Sequence, residues 1–153
     1  MGAQARDTFE LGSDGPGVIV VGVDGTDSSR RAAAYAAGLA RRQGSRLVAV
    51  WVRPEPALAA LFVEAAGALT EAQREVEEEL RRSVEWGASY YGVPKTSLVV
   101  VPGDPFRELV RVADEVRADA LVVGVSMHTG HRLIGSLGVR LVRLGRWPVT
   151  VVP

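Results

Sequence analysis

The 153-residue sequence contains no cysteine. This absence excludes disulfide bonds, iron–sulfur clusters, zinc sites built from thiolates and catalysis by a thiol. Histidine is also scarce, because His128 and His131 are the only two in the chain. No acidic residue lies near them in sequence to complete a ligand set. We therefore predict no metal site.

The chain also lacks an excess of either charge, since 18 basic residues balance 18 acidic residues. A neutral protein has no long-range electrostatic attraction for nucleic acid or for an anionic membrane. No apolar run approaches the roughly 20 residues that span a bilayer. Residues 1–16 lack the apolar region of a signal peptide. We therefore expect a cytoplasmic protein that binds neither nucleic acid nor membrane.

What the sequence does contain is apolar material, because 47% of its residues are hydrophobic. A chain of this length and composition is typical of one domain with a sizeable core. Residues 1–16 are polar and rich in glycine, and we predict a flexible tail there. Residues 17–153 are predicted to form the folded domain.

Short β-branched runs alternate with amphipathic segments along the chain. Such runs are typical of strands buried on both faces of a parallel sheet. The predicted strands are residues 17–23, 46–52, 97–101, 120–124 and 149–152. The alternation predicts an α/β fold in three layers, with helices on both faces of the sheet.

Capping signals predict where the helices begin. The run Thr70-Glu-Ala-Gln73 has the form of a capping box and predicts a helix from Thr70 to about Tyr91. Residues 53–69 remain ambiguous, because prolines precede apolar residues at helical spacing. Asp104 is a predicted cap for a helix with Pro105 in its first position.

Two groups of residues are interpreted as structural. Arginine recurs at every third position of the last predicted helix, which favours a solvated face near the helix carboxyl end. These arginines are Arg140, Arg143 and Arg146. The three tryptophans are predicted to be packing residues; they are Trp51, Trp86 and Trp147.

Polar turns follow the first and fourth predicted strands. Asp24-Gly25 closes the first strand and Gly124 closes the fourth. Ligands of open parallel sheets bind beyond the carboxyl ends of strands, where the strand order reverses. Gly135-Ser136 then opens a helix, whose free N–H groups favour a phosphate. An ordinary turn and an ordinary helix cap are the alternative interpretation.

A series of short motifs occurs in a fixed order from Val18 to Val152. They are Val-Gly-Val-Asp24-Gly25, Gly103-Asp104-Pro105, Leu-Val-Val-Gly124, Gly135-Ser136 and Trp-Pro-Val149-Thr-Val-Val. In these motifs the sequence resembles the universal stress protein family. The resemblance implies a Rossmann-like fold of the adenine nucleotide alpha hydrolase-like type. It also implies a five-stranded parallel sheet of order 3-2-1-4-5.

The resemblance also implies a nucleotide site. The ATP-binding branch of the family carries Gly-x2-Gly-x9-Gly-Ser/Thr after its fourth strand. Met127 stands at the second glycine of that motif, and the spacing from there to Gly135 is two residues shorter. Gly130 is a candidate substitute, and Arg132 is placed to pair with a phosphate. By resemblance, Asp24 and Val52 flank the ribose and the adenine.

These interpretations define one predicted site and one predicted function. The residues expected to bind ATP or another adenine nucleotide are Asp24, Gly25, Val52, Gly124, Gly130, Arg132, Gly135 and Ser136. The expected protein is a regulator and not an enzyme. The resemblance implies a homodimer, and pairing of the carboxyl-terminal edge strand, residues 149–152, would form it.

Two alternative functions stay open. One is a dimeric protein-interaction module of the same family that has lost ATP binding, which Met127 and the shortened loop favour. The other is a nucleotidyltransferase, because His128-Thr-Gly-His131 is similar to the His-x-Gly-His signature of those enzymes.

Overall fold

A computed structural model describes residues 16–53, 63–125 and 136–153, without the side chains of residues 63–66 and 136. Nine elements alternate along these ranges. They are β1 (Val18–Gly22), α1 (Asp27–Gln43), β2 (Arg46–Arg53), α2 (Val63–Tyr90), β3 (Thr96–Pro102), α3 (Pro105–Glu115), β4 (Ala120–Gly124), α4 (Ser136–Leu144) and β5 (Val149–Val152). The predicted tail, residues 1–16, lies almost entirely outside the described residues.

The five strands form one sheet of order β3-β2-β1-β4-β5, and every pair is parallel. This confirms the predicted α/β class and the strand order. The central strand β1 pairs Val20 with Val48 of β2 on one side and with Leu121 of β4 on the other. Strands β2 and β3 extend the sheet on one side of β1, and β4 and β5 extend it on the other side. The strand order therefore reverses between β1 and β4.

The sheet separates two hydrophobic clusters, because alternate strand residues point to opposite faces. Ile19 and Val21 of β1 join the cluster beneath α1 and α2, and Val20 joins the cluster beneath α3 and α4. All three side chains are fully buried. Burial on both faces explains why β1, β2 and β4 are continuous apolar runs instead of alternating ones.

Local sequence determines how α1 and α3 begin. Thr26 caps α1, since its hydroxyl oxygen accepts a hydrogen bond from the Ser29 N–H over 3.3 Å. Asp104 caps α3 as predicted, since its carboxylate accepts from the Arg107 N–H over 3.0 Å. At its other end α1 stops at Gly44, whose φ of +66° suits glycine.

The predicted start of α2 was wrong. The helix begins at Val63, so Thr70 lies inside it and does not cap it. The preceding residues 63–69 are rich in Ala, with Glu and Leu, which are strong helix formers and extend the helix backward. At 28 residues α2 is long. Nevertheless, no helix in the described ranges is both long and apolar enough to cross a membrane.

The predicted packing role of Trp86 was also wrong. Its side chain is 60% exposed and stacks on Tyr90 with ring centroids 4.6 Å apart. Trp86 follows the buried Leu80 by six residues, or roughly 240° around the helix, so it faces away from the core. Trp51 is buried, and Trp147 packs against the cluster beneath α3 and α4, as predicted.

Candidate functional site

A crevice of about 660 Å³ opens at the carboxyl ends of β1 and β4, where the strand order reverses. Three predicted site residues from three separate strand ends line it: Asp24, Val52 and Gly124. We call this cavity the β1/β4 crevice. Its position agrees with the general rule for ligand sites in open parallel sheets.

The other predicted site residues are placed as follows. Gly25 lies in the adjacent turn with φ of +82° and lines a neighbouring cavity instead of the crevice. Gly130, Arg132 and Gly135 lie outside the described residues, as do Met127 and both histidines. Ser136 is the first residue of α4, and its side chain is not described. Nucleotide binding by these residues stays a prediction.

The Asp24 carboxylate orders the lip of the crevice. Its Oδ1 accepts hydrogen bonds from the Thr26 N–H over 2.9 Å and from the Thr26 hydroxyl over 2.6 Å. The Asp24 N–H donates to the Ser29 hydroxyl over 3.2 Å, and that hydroxyl donates to the Thr26 carbonyl over 3.0 Å. These bonds join the end of β1 to the first turn of α1, so the lip has a defined shape without any ligand.

Gly124 permits a close backbone contact. A Cβ atom at this position would lie 2.6 Å from the Ser28 carbonyl carbon and 2.8 Å from the Ser29 nitrogen. The Ser28 hydroxyl, which is buried, donates to the Val125 carbonyl over 2.8 Å. Gly124 therefore has a packing role in the fold that is independent of any phosphate.

Sequence reasoning missed Arg140 as a crevice residue. It lines the β1/β4 crevice together with Phe106, and its guanidinium carbon lies 4.0 Å from the centroid of the Phe106 ring. The expected solvated face is confirmed, since Arg140, Arg143 and Arg146 are all exposed, and Arg146, just beyond α4, pairs with Asp114 over 2.6 Å. Its spacing from Ser136 could have identified it, because residues four positions apart lie on the same face of a helix and Ser136 was already a predicted site residue.

A second cavity, of about 730 Å³, lies between α1 and α2 on one face of the sheet. Its lining is mainly apolar, and it shares five residues with the β1/β4 crevice: Val23, Asp24, Thr26, Ser29 and Val76. Although it is larger, we assign the functional site to the crevice. The crevice lies at the point where the strand order reverses and contains the arginine–phenylalanine pair.

No cluster of three acidic or histidine side chains suited to a metal ion occurs within the ranges that the structure describes.

Fold and crevice together define an α/β protein with a ligand-sized opening at the point where the strand order of its sheet reverses. The model of the Universal stress protein family matches residues 17–153. The chain therefore belongs to the universal stress protein family.

Individual relatives agree with this assignment. The chain is 31% identical over 137 residues to a universal stress protein from Methanocaldococcus jannaschii, covering 88% of this chain and 80% of that protein. Among solved structures, universal stress protein UspA from Lactobacillus plantarum superimposes with a TM-score of 0.77 at 23% identity, over 89% of this chain and 97% of that chain. A universal stress protein in complex with cAMP matches at 28% identity with a TM-score of 0.62, over 90% and 97% of the two chains.

Proposed function

We propose that this universal stress protein is a cytoplasmic regulator, without enzymatic activity, that binds an adenine nucleotide in the β1/β4 crevice. One observation carries the proposal. Asp24, Val52 and Gly124 are far apart in sequence but line one cavity of about 660 Å³. That volume lies within the range of roughly 300–1,000 Å³ typical of small-molecule sites.

The crevice offers a suitable group for each part of a nucleotide. Half-buried Val52 and the neighbouring Val76 and Leu69 supply an apolar wall for the adenine ring. The Asp24 carboxylate is an acceptor for ribose hydroxyl groups. Helix α4 begins beside the crevice, and its amino-terminal dipole favours a phosphate. The similar structure that holds cAMP supports an adenine nucleotide as the ligand class.

The hydroxyl groups of the crevice support binding rather than catalysis. Thr26 donates to Asp24, Ser28 donates to the Val125 carbonyl and Ser29 donates to the Thr26 carbonyl. The first joins the cap of α1 to the turn after β1, the second joins α1 to the end of β4, and the third lies within the cap of α1. We therefore assign these hydroxyl groups to the shape of the site and not to a nucleophilic step.

Calorimetric titration tests the nucleotide proposal. We expect saturable heat with at least one of ATP, ADP, AMP and cAMP, and a rise in the melting temperature with the same ligand. Val52→Trp places a large ring in the crevice and should abolish both signals. Val142→Trp is the matched control, because Val142 is 56% exposed on α4. Wild-type protein that gives neither heat nor a thermal shift with any of the four nucleotides contradicts the proposal.

We also propose that the protein is a homodimer, because β5 lies at the edge of the sheet. The Leu121 N–H donates to the Pro148 carbonyl and the Val125 N–H donates to the Val152 carbonyl, so these β5 residues face β4. In a parallel ladder every second residue bonds to the same neighbouring strand. The backbone groups of Val149 and Val151 therefore point to the open edge. Two copies can pair these edges around a two-fold axis.

Light scattering during gel filtration tests the dimer. We expect twice the chain mass of 16.3 kDa for the wild-type protein. Val151→Pro removes an N–H at the open edge and leaves the residues that pair with β4 unchanged, so it should shift the mass toward the monomer. A monomeric wild-type protein at every concentration measured would rule out this assembly. The interaction-module alternative predicts the dimer with no nucleotide bound.

A further inference from the structure

Arg140 differs from the paired arginines around it. Arg111 pairs with Glu108 over 2.8 Å and with Glu115 over 2.6 Å, and Arg146 pairs with Asp114. Arg140 forms no ion pair and no hydrogen bond with any residue that the structure describes. Its guanidinium therefore makes no salt bridge within the described part of the chain, although the carboxylates of Asp24 and Asp104 line the same crevice.

The contact with Phe106 places this charge at the wall of the crevice. The guanidinium carbon lies 4.0 Å from the ring centroid, a cation–π distance. Contact through its face leaves the in-plane N–H groups of a guanidinium available to a second partner. Phe106 is itself held in place because it packs against the buried cluster beneath α3 and α4. Both side chains line the same crevice as Asp24 and Gly124.

We propose that Arg140 is the phosphate ligand of the β1/β4 crevice and that Phe106 positions it. This inference rests on the proposed nucleotide function and adds a named recognition group to it. Two in-plane N–H groups of a guanidinium can donate to two oxygens of one phosphate, which makes the contact bidentate. The opposite charges of the two groups strengthen these hydrogen bonds. The class of ligand is a nucleotide with at least one phosphate, in preference to the bare nucleoside.

The sequence gives an independent reason for such a group. Met127 replaces a glycine of the family motif, and the loop that follows is two residues shorter than the motif requires. A side chain from α4 supplies positive charge without depending on the backbone of that loop. Arg140 lies one turn from the start of α4, so its charge adds to the helix dipole at the same end of the crevice.

The test compares affinities for AMP, ATP and adenosine in four proteins: wild type, Arg140→Gln, Arg140→Lys and Arg143→Ala. Loss of one charge-assisted contact should weaken AMP and ATP binding by about 10- to 100-fold in Arg140→Gln. Adenosine binding should change by less than about twofold. Arg140→Lys keeps the charge but loses the planar fork, so it should retain part of the affinity. Arg143→Ala, an exposed arginine on the same helix, should match wild type.

A further variant separates positioning from charge. Phe106→Leu keeps an apolar side chain and the Arg140 charge but removes the aromatic face, so phosphate affinity should fall by a few-fold while adenosine affinity is kept. Circular dichroism and urea unfolding of each variant establish that it is folded. If wild type binds nucleotides and Arg140→Gln binds AMP and ATP equally well, the inference is wrong and the proposed function stands. If wild type binds no nucleotide, both are wrong.

Discussion

Replacement of Gly124 by alanine is expected to lower the free energy of unfolding by about 3 kcal/mol, the upper part of the usual range for overpacking. The added Cβ would lie 2.6 Å from the carbonyl carbon of Ser28 and 2.7 Å from its oxygen. These obstacles are backbone atoms, so no side-chain rotation relieves the overlap. Either β4 or the first turn of α1 must move, and the Ser28–Val125 hydrogen bond is then strained. Urea denaturation of the protein without nucleotide measures the change.

Gly67→Ala is the matched control for this substitution. Gly67 is an exposed interior residue of α2, and a Cβ there would have no neighbour within 4 Å. The same chemical change should stabilise the protein by about 0.5–1 kcal/mol, because alanine favours the helix more than glycine does. Equal unfolding midpoints for Gly124→Ala and wild type would show that the close contact between β4 and α1 does not exist in solution.

Replacement of Leu141 by alanine is expected to cost about 2–5 kcal/mol. Leu141 is 0% exposed and belongs to the cluster beneath α3 and α4. Its truncation removes buried methyl groups and leaves a cavity that the neighbouring strands can fill only in part. A loss of this size is a large share of the roughly 5–15 kcal/mol that stabilise a typical domain. Thermal and urea unfolding measure it.

The neighbouring residue provides the control. Val142 is 56% exposed on the same helix, and Val142→Ala should change stability by no more than about 0.5 kcal/mol. Similar losses for Leu141→Ala and Val142→Ala would mean that α4 does not pack on the sheet as described. That result would also affect the crevice, since Arg140 precedes Leu141 on this helix.

Replacement of Gly124 cannot by itself separate its packing role from its predicted phosphate role. A glycine in a family motif is readily assigned to phosphate binding, because the backbone of glycine approaches a ligand closely. In this protein the same glycine also lets β4 approach α1, so its replacement affects folding before any ligand is considered. Loss of nucleotide binding in Gly124→Ala would therefore not identify a phosphate contact. Substitutions of Arg140 and Val52, which lie at the crevice wall, are more informative.

The crevice is organised largely by short-range hydrogen bonds. The run from Asp24 to Ser29 forms a turn and a helix cap in which Asp24, Thr26 and Ser29 hydrogen-bond to one another. Such an arrangement reduces the entropy lost when a ligand is bound. The bond from Ser28 to Val125 then joins this lip to the end of β4 across 97 positions of sequence. The two sides of the crevice are thus held together by the fold.

Much of the fold was predictable from local chemistry. Apolar β-branched runs predicted all five strands. Burial on both faces requires such continuous hydrophobicity in β1, β2 and β4. Asp104 and Pro105 predicted the start of α3, since capping depends on adjacent residues only. The strand order was implied by the family resemblance and not by the composition or spacing of residues. The predicted position of the site followed from that order.

The sequence by itself determined the α/β class, the strands, the start of α3 and the presence of Asp24 and Gly124 at two strand ends. Only the tertiary structure decided which side chains meet there. Arg140 is one of two arginines on α4, and its place beside Phe106 depends on how α3 and α4 pack on the sheet. The exposure of Trp86 likewise depends on which face of α2 meets the core. These contacts join residues distant in sequence, so local patterns carry little information about them.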